Sequence, residues 1–186
     1  LKTGGPDVLK TARRPLPVLR EHEIIVRVVA AGVNGPDLIQ RRGNYPPPDG
    51  ASDLLGLEVS GEVVAVGAAQ KLWKIGDKIC GLTNGGGYAE YVAIDAAHCL
   101  PVPEEVDLTD AAGLPETYFT VWSNVFFNHM LPENGNFLVH GGAGGIGSTA
   151  IQLGAAMGLS VYTTASNAKA CKYCESLGAH RAINYN

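Results

Sequence analysis

The spacing of apolar positions changes near the middle of this chain. Before about residue 113 the apolar runs are short and alternate with polar residues. In residues 23–30, Ile24, Val26 and Val28 share one face, the period-2 pattern of a half-buried strand. Residues 58–66, 78–82 and 88–94 read the same way, separated by Gly67, by Gly76-Asp77 and by the run Asn84-Gly85-Gly86-Gly87. Short strands with glycine turns predict a small barrel-like β domain. Residues 36–42 predict a short helix with Pro36 at an early position, and Pro46-Pro47-Pro48 predicts an extended loop. A helical turn follows over residues 107–112. Leu114-Pro115 breaks it, and residues 116–128 predict a further helix.

After residues 132–135 the pattern lengthens. Residues 137–139 read as a buried strand, and Ile146, Ala150, Leu153 and Met157 recur at helical spacing. Residues 159–166 predict a second strand entered through Gly158. Residues 168–177 predict a helix stopped by Gly178, and residues 181–185 a third strand. This is βαβαβ, one mononucleotide-binding half of a doubly wound sheet. The boundary falls near Gly113, giving domains 1–113 and 114–186.

Between the first strand and its helix, Gly142, Gly144 and Gly147 stand at G-x-G-x-x-G spacing. Glycines allow the tight turn and the approach of a pyrophosphate, and the free N–H groups of the following helix face it. A purely structural turn is the alternative reading. A site for NAD commonly places an acid at the end of the second strand, to bind the ribose 2′-hydroxyl. Here that region is Thr163-Thr164-Ala165-Ser166, without an acid, and Lys169 follows. A hydroxyl and a cation suit a 2′-phosphate, which favours NADPH over NADH.

Composition narrows the class. The 186 residues are 46% hydrophobic, enough for a core, and carry a net charge of −4. That balance, with no basic run, argues against nucleic acid as a partner. No stretch approaches the ~20 apolar residues of a membrane span. Four cysteines, Cys80, Cys99, Cys171 and Cys174, are too few for a disulfide scaffold and fit a reducing, cytoplasmic setting. The chain begins with Leu1 rather than Met, which leaves an earlier targeting segment open. Cys171 and Cys174 match C-x-x-C but fall inside a predicted helix with no second pair nearby, so they read as ordinary helix residues. His140 reads as structural, beside the glycine turn.

Several strings resemble the zinc-independent, zeta-crystallin-like quinone oxidoreductases of the medium-chain dehydrogenase/reductase superfamily. They are residues 33–48 (VNGPDLIQRRGNYPPP), 56–63 (GLEVSGEV), 73–77 (WKIGD), 85–92 (GGGYAEYV) and 140–147 (HGGAGGIG). The likeness runs through the whole chain in order. It implies an α/β protein with an N-terminal GroES-like β-barrel domain, then the first half of a Rossmann doubly wound parallel sheet, truncated. Zinc-dependent relatives carry Cys where this chain has Asn34 and His where it has Leu57. Asn and Leu cannot form the thiolate–imidazole shell of catalytic zinc. The four-cysteine lobe of structural zinc is also missing at residues 83–87, so no metal is expected.

The resemblance further implies roles for single residues. Asn34 and Tyr45 fall in the nicotinamide and quinone pocket, where each can donate a hydrogen bond to a quinone oxygen as charge builds there. Thr120 falls beside the cofactor. Gly144, Gly145, Ile146 and Gly147 match the pyrophosphate loop, where some relatives carry Ser in place of Gly144. Ser166, Lys169 and Tyr185 match positions around the adenosine 2′-phosphate. The implied activity is hydride transfer from NADPH to a quinone, in a homodimer when full length. An alkenal or enone reductase and a non-catalytic nucleotide-binding or RNA-associated protein stay open as alternatives. The family chain would start earlier and continue beyond Asn186, so a fragment is expected.

Overall fold

The computed structural model describes residues 2–127, 131–132 and 134–186. The chain divides into two compact units, Leu1–Glu116 and Thr117–Asn186, against an expected boundary at 113.

The first unit is built on β1 (Glu23–Ala31), β2 (Glu58–Val66), β3 (Lys78–Leu82), β4 (Tyr91–Asp95) and β5 (Cys99–Pro101). They form a five-stranded sheet in the order β4-β1-β2-β3-β5, with every pairing antiparallel. Ile24 and Val26 of β1 are fully buried, and Val28 packs on the same core beside Val59, Val63, Ile79, Val92 and Ile94. Register shifts between Ile25 and Val26 and between Val28 and Ala30 bend β1 against β2, as bulges do. The sequence pattern missed β5, three residues with one buried side chain, because so short a strand carries no period. Helix α1 (Gly35–Arg41) follows β1, and α2 (Leu108–Ala111) lies near the unit's end with Asp107 capping Thr109 N–H.

Helix α3 (Pro115–Val121) starts on its proline. The predicted helix over residues 116–128 does not run on as an α-helix. It widens into a π turn over Trp122–Phe126, closed by Phe127 N–H to Trp122 O at 2.8 Å. The Trp122 and Phe126 rings stack at 5.4 Å across the turn. The expected last residue, Asn128, lies outside the described residues, as does Glu133 in the approach to the next strand.

The second unit holds β6 (Asn136–Val139), α4 (Gly145–Ala156), β7 (Ser160–Ala165), α5 (Ala168–Ser176) and β8 (Arg181–Asn184). The strands are parallel in the order β6-β7-β8. Gly158 (φ 77°) and Gly178 (φ 110°) end the two helices in the left-handed region.

Two sequence expectations fail here, for related reasons. Residues 137–139 do not form a fully buried strand. Phe137 and Val139 pack on the Ile151–Val161 core, whereas Leu138 is 55% exposed on the other face. Helix α4 does not bury Ile146, Ala150, Leu153 and Met157 as a set. It buries Gly147, Thr149, Ala150, Ile151 and Gly154, and leaves Ile146 44% exposed. The cause is steric. A Cβ on Gly154 would lie 2.7 Å from Val161 Cγ2, so the helix sits against β7 on its glycine side. A hydrophobicity pattern does not count glycine as a core residue, and so it took in the exposed Ile146 and Met157 and passed over Ile151.

Candidate functional site: a buried carboxylate pair and a glycine turn

In the first unit, Asn34 is held by two buried acids that the sequence reading did not select. Asn34 N–H donates to Asp37 Oδ2 at 2.8 Å, and Asn34 Nδ2 donates to Glu58 Oε1 at 2.7 Å. Asn34 and Asp37 stand in capping-box positions at the start of α1, where the backbone bond to Asp37 is firm and the reciprocal approach of the Asn34 side chain falls short of a hydrogen bond. Asp37 also accepts from Gly56 N–H at 3.0 Å and from the Tyr88 hydroxyl at 3.0 Å. Glu58 Oε2 accepts from Glu116 N–H at 2.8 Å. Asp37 and Glu58 are each only 2% exposed. The ion pairs of the described residues, Arg14–Asp53, Arg20–Glu23 and Arg27–Glu62, involve neither.

Burial shifts these groups. Loss of solvent pushes the Glu58 carboxyl up, against the lowering effect of the Asn34 and Glu116 donors, and the Asp37 charge adds to the rise. Desolvation raises Glu116 too, helped by the charges of Glu58 and Asp37. Tyr88 is driven above the ordinary phenol value by desolvation and by its bond to Asp37, so its hydroxyl stays a donor.

The loop over residues 83–88 is closed by backbone bonds. Thr83, Gly86, Gly87 and Tyr88 N–H groups donate to the carbonyls of Leu57, Leu54, Gly56 and Leu55. Among the described residues no group of three or more His, Cys, Asp or Glu could hold a metal ion. Tyr45, expected beside Asn34, lies in the turn after α1 with its side chain 48% exposed. No hydrogen bond joins it to Asn34. A groove of about 440 Å³ is lined by Val29, Lys78 and residues 104–109. It shares no residue with the Asn34 cluster, and its charged, wide-open rim supplies no catalytic grouping.

In the second unit the glycine turn joins β6 to α4. Its three glycines do different things. A Cβ on Gly142 would sit 2.2 Å from Thr163 Oγ1 and 2.9 Å from Cys174 Sγ, and one on Gly147 would sit 2.3 Å from Gly141 O. These two allow close packing. Gly144 meets nothing nearer than Gly141 O at 3.4 Å, and Gly145 nothing nearer than Thr117 Cγ2 at 3.4 Å. Those two are exposed and leave room for a ligand. Helix α4 has no side-chain cap and no acid in its first turn. In contrast, α5 is capped by Asn167 and α2 by Asp107. The first N–H groups of α4 therefore point out of a bare glycine start, suited to an anion.

Thr164 holds the turn through its carbonyl to Gly142 N–H at 3.0 Å and its hydroxyl to Gly141 N–H at 3.2 Å. His140 Nδ1 lies 3.2 Å from that hydroxyl, an exposed structural contact. Cys174, of the C-x-x-C pair, is buried in the core under the turn, as a packing residue. Ser166 follows β7, Tyr185 follows β8 and Lys169 occupies the first turn of α5. All three are exposed at the carboxyl ends of the parallel strands, with the glycine turn. Tyr185 N–H donates to Ala165 O at 3.1 Å, and Asn186 Nδ2 to Ser166 O at 2.6 Å. Thr120 lies on α3, its carbonyl accepting from Asn124 Nδ2 at 2.8 Å. Thr117, one helical turn earlier, brings its Cγ2 within 3.4 Å of where a Cβ on Gly145 would lie.

An antiparallel β unit followed by a glycine-turn βαβαβ unit is the build of a medium-chain dehydrogenase/reductase. Residues 20–104 match the alcohol dehydrogenase GroES-like domain. The chain is 33% identical over 185 residues to the quinone oxidoreductase of Homo sapiens, covering 98% of this chain and 56% of that one. It superposes on the Escherichia coli quinone oxidoreductase complexed with NADPH at TM-score 0.86 and 32% identity, covering 99% of this chain and 56% of that one. An NAD-dependent alcohol dehydrogenase gives TM-score 0.87 at 28% identity, over 99% and 62% of the two chains. The GroES-like match and the likeness to quinone oxidoreductases along nearly all of this chain support a member of the zinc-independent quinone-oxidoreductase type of this superfamily. It spans about half the length of the curated relatives it matches. No helix among the described residues is long and apolar enough to cross a membrane.

Proposed function

We propose that this chain carries the substrate-binding residues and the adenosine–pyrophosphate half of an NADPH-dependent quinone reductase. The observation that carries the reading is the bare glycine start of α4, beside strand ends that hold a serine and a lysine but no acid. These residues fit a dinucleotide phosphate. Gly144 and Gly145 leave room for it, the N–H groups of Gly145, Ile146 and Gly147 face it, and Ser166, Lys169 and Tyr185 stand where the 2′-phosphate would lie. Thr120 is assigned to the same cofactor. When bound, a reduced nicotinamide supplies the hydride. This chain's own residues bind, orient and stabilise. Asn34 donates to the quinone oxygen that gains charge, and Tyr45 is a second donor to it. The relatives named for quinone reduction support the substrate class.

Two substitutions test the cofactor. Lys169→Glu is expected to weaken NADPH binding at least about tenfold, ~1.4 kcal/mol, and NADH much less, since only NADPH carries the 2′-phosphate. Equal losses measured by calorimetry would remove Lys169 from that role. Gly144→Asp is expected to weaken both cofactors by placing a negative charge against the pyrophosphate. Steady-state assays with a quinone and with an α,β-unsaturated aldehyde separate quinone from enone reduction.

A further inference from the structure

The Asn34 amide has one oxygen and two N–H groups, and the structure ties down one of those N–H groups. One N–H is taken by Glu58 Oε1 at 2.7 Å, and the residue's backbone N–H is taken by Asp37 Oδ2 at 2.8 Å. A carboxylate is an acceptor only. It can therefore be met by Nδ2 but not by Oδ1, and so it decides which way round the amide stands. Glu58 is itself fixed at its other oxygen by Glu116 N–H at 2.8 Å. It also fills the space above Gly32, where a Cβ would clash with Oε1 and lie 2.5 Å from Cδ. Gly32 has an ordinary backbone angle, so it is a glycine for the sake of the Glu58 side chain and not for a turn.

We propose that Glu58 is a positioning residue that makes Asn34 a hydrogen-bond donor, by holding the amide with Nδ2 inward and leaving its second N–H for an oxygen of the substrate. This rests on the reading of Asn34 as a substrate-binding residue. It adds the specificity that follows: a substrate must present an acceptor oxygen, as a quinone or other carbonyl does. Protonation of Glu58 releases the constraint. A neutral acid can donate to Oδ1, so the amide is free to turn over and offer a mixed face. The charged and titratable groups facing Glu58 are Asp37 on α1, Cys80 on β3, Tyr88 before β4 and Glu116 on α3. Among the described residues none of these is a cation, and burial, with the Asp37 charge, makes the carboxylate easier to protonate than an ordinary one. The amide is therefore best ordered at neutral pH and loosens as pH falls through the raised Glu58 value.

The test has two arms. In the first, the Asn34 side-chain N–H pair is followed by NMR in the 186-residue chain as pH falls from 8 to 4. We expect two well-separated proton shifts at neutral pH that converge with the Glu58 side-chain carbon titration. Glu58→Gln should abolish that titration. Gly32→Ala, which leaves Glu58 in the chain but displaces it, should reproduce the low-pH spectrum at neutral pH. Asn34 resonances indifferent to pH and to both substitutions would overturn the proposal. In the second arm, NADPH-dependent quinone reduction is measured with the full-length protein. Glu58→Gln should lower kcat at least about tenfold with KM within about twofold, and should remove the acid limb of the kcat profile. An unchanged kcat with the acid limb kept would overturn it. If wild-type protein reduces no quinone, the substrate reading fails by itself, and the NMR arm still decides whether Glu58 sets the amide.

Discussion

At the residue scale, Glu58 ties protonation to stability. Its folded-state pKa is raised, by burial first, so the folded protein holds this proton more tightly than the unfolded chain does. Stability contributed by the neutral acid is full below the unfolded value. It is lost as pH rises through the raised folded value. Urea unfolding of wild type and Glu58→Gln between pH 4 and 8 should therefore show wild type losing stability relative to the variant as pH rises. The opposite slope would mean that the donors from Asn34 and Glu116 outweigh desolvation. The family resemblance singled out Asn34 but not its partners. Asp37 was visible in principle, three residues on in capping-box spacing. Glu58 carried a fainter signal, an acid inside the apolar string from Gly56 to Val59. What could not be read was their meeting, since Asn34 reaches Glu58 across 24 residues and Tyr88 reaches Asp37 across 51.

At the element scale, α4 and β7 show what glycine does that a hydrophobic pattern cannot register. Gly147 lies so close to the turn that a Cβ would sit 2.3 Å from Gly141 O, a backbone atom that cannot swing aside. Gly147→Ala should cost about 1–3 kcal/mol by overpacking and distort the turn, weakening NADPH binding as well as stability. Gly144→Ala, with its nearest atom at 3.4 Å, should leave unfolding free energy nearly unchanged. Chemical denaturation of the two variants side by side checks this. For α5 the sequence signal was clearer. Asn167 Oδ1 accepts from Ala170 N–H at 2.9 Å, and Asn167→Ala should destabilise by ~1 kcal/mol. The order of strands and helices was legible because period 2 gives way to period 3.6 near the middle of the chain. The buried face of α4 was not, because Gly147 and Gly154 share it with Ala150 and Ile151 and carry no hydrophobic signal.

At the scale of the whole molecule, two cores without shared residues account for the two units. The resemblance named both units from their strings. It also carried the expectation about metal, which is tested directly. With Asn34 and Leu57 in ligand positions and residues 83–87 closed by backbone bonds, elemental analysis of purified protein should find no stoichiometric zinc. One tightly held zinc per chain would contradict this. Tyr185 came from the resemblance alone, whereas Ser166 and Lys169 could be picked out from the acid-free end of the second strand. Tyr45 was not legible in the same way. Its place in an exposed turn depends on how the chain leaves α1.

Glu58 also has a consequence for how fast the first unit forms. Its carboxylate joins Asn34 to Glu116, and the second of these contacts closes 58 residues of chain. Closing so long a loop is entropically expensive until the intervening strands have paired. The bond network around Asn34 should thus be among the last native contacts made. In stopped-flow measurements, Gly32→Ala should steepen escape from the native state and barely change the refolding rate, giving a φ-value near zero. A chain newly made would then acquire its sheet before its chemistry, with the amide of Asn34 the last part to find its orientation.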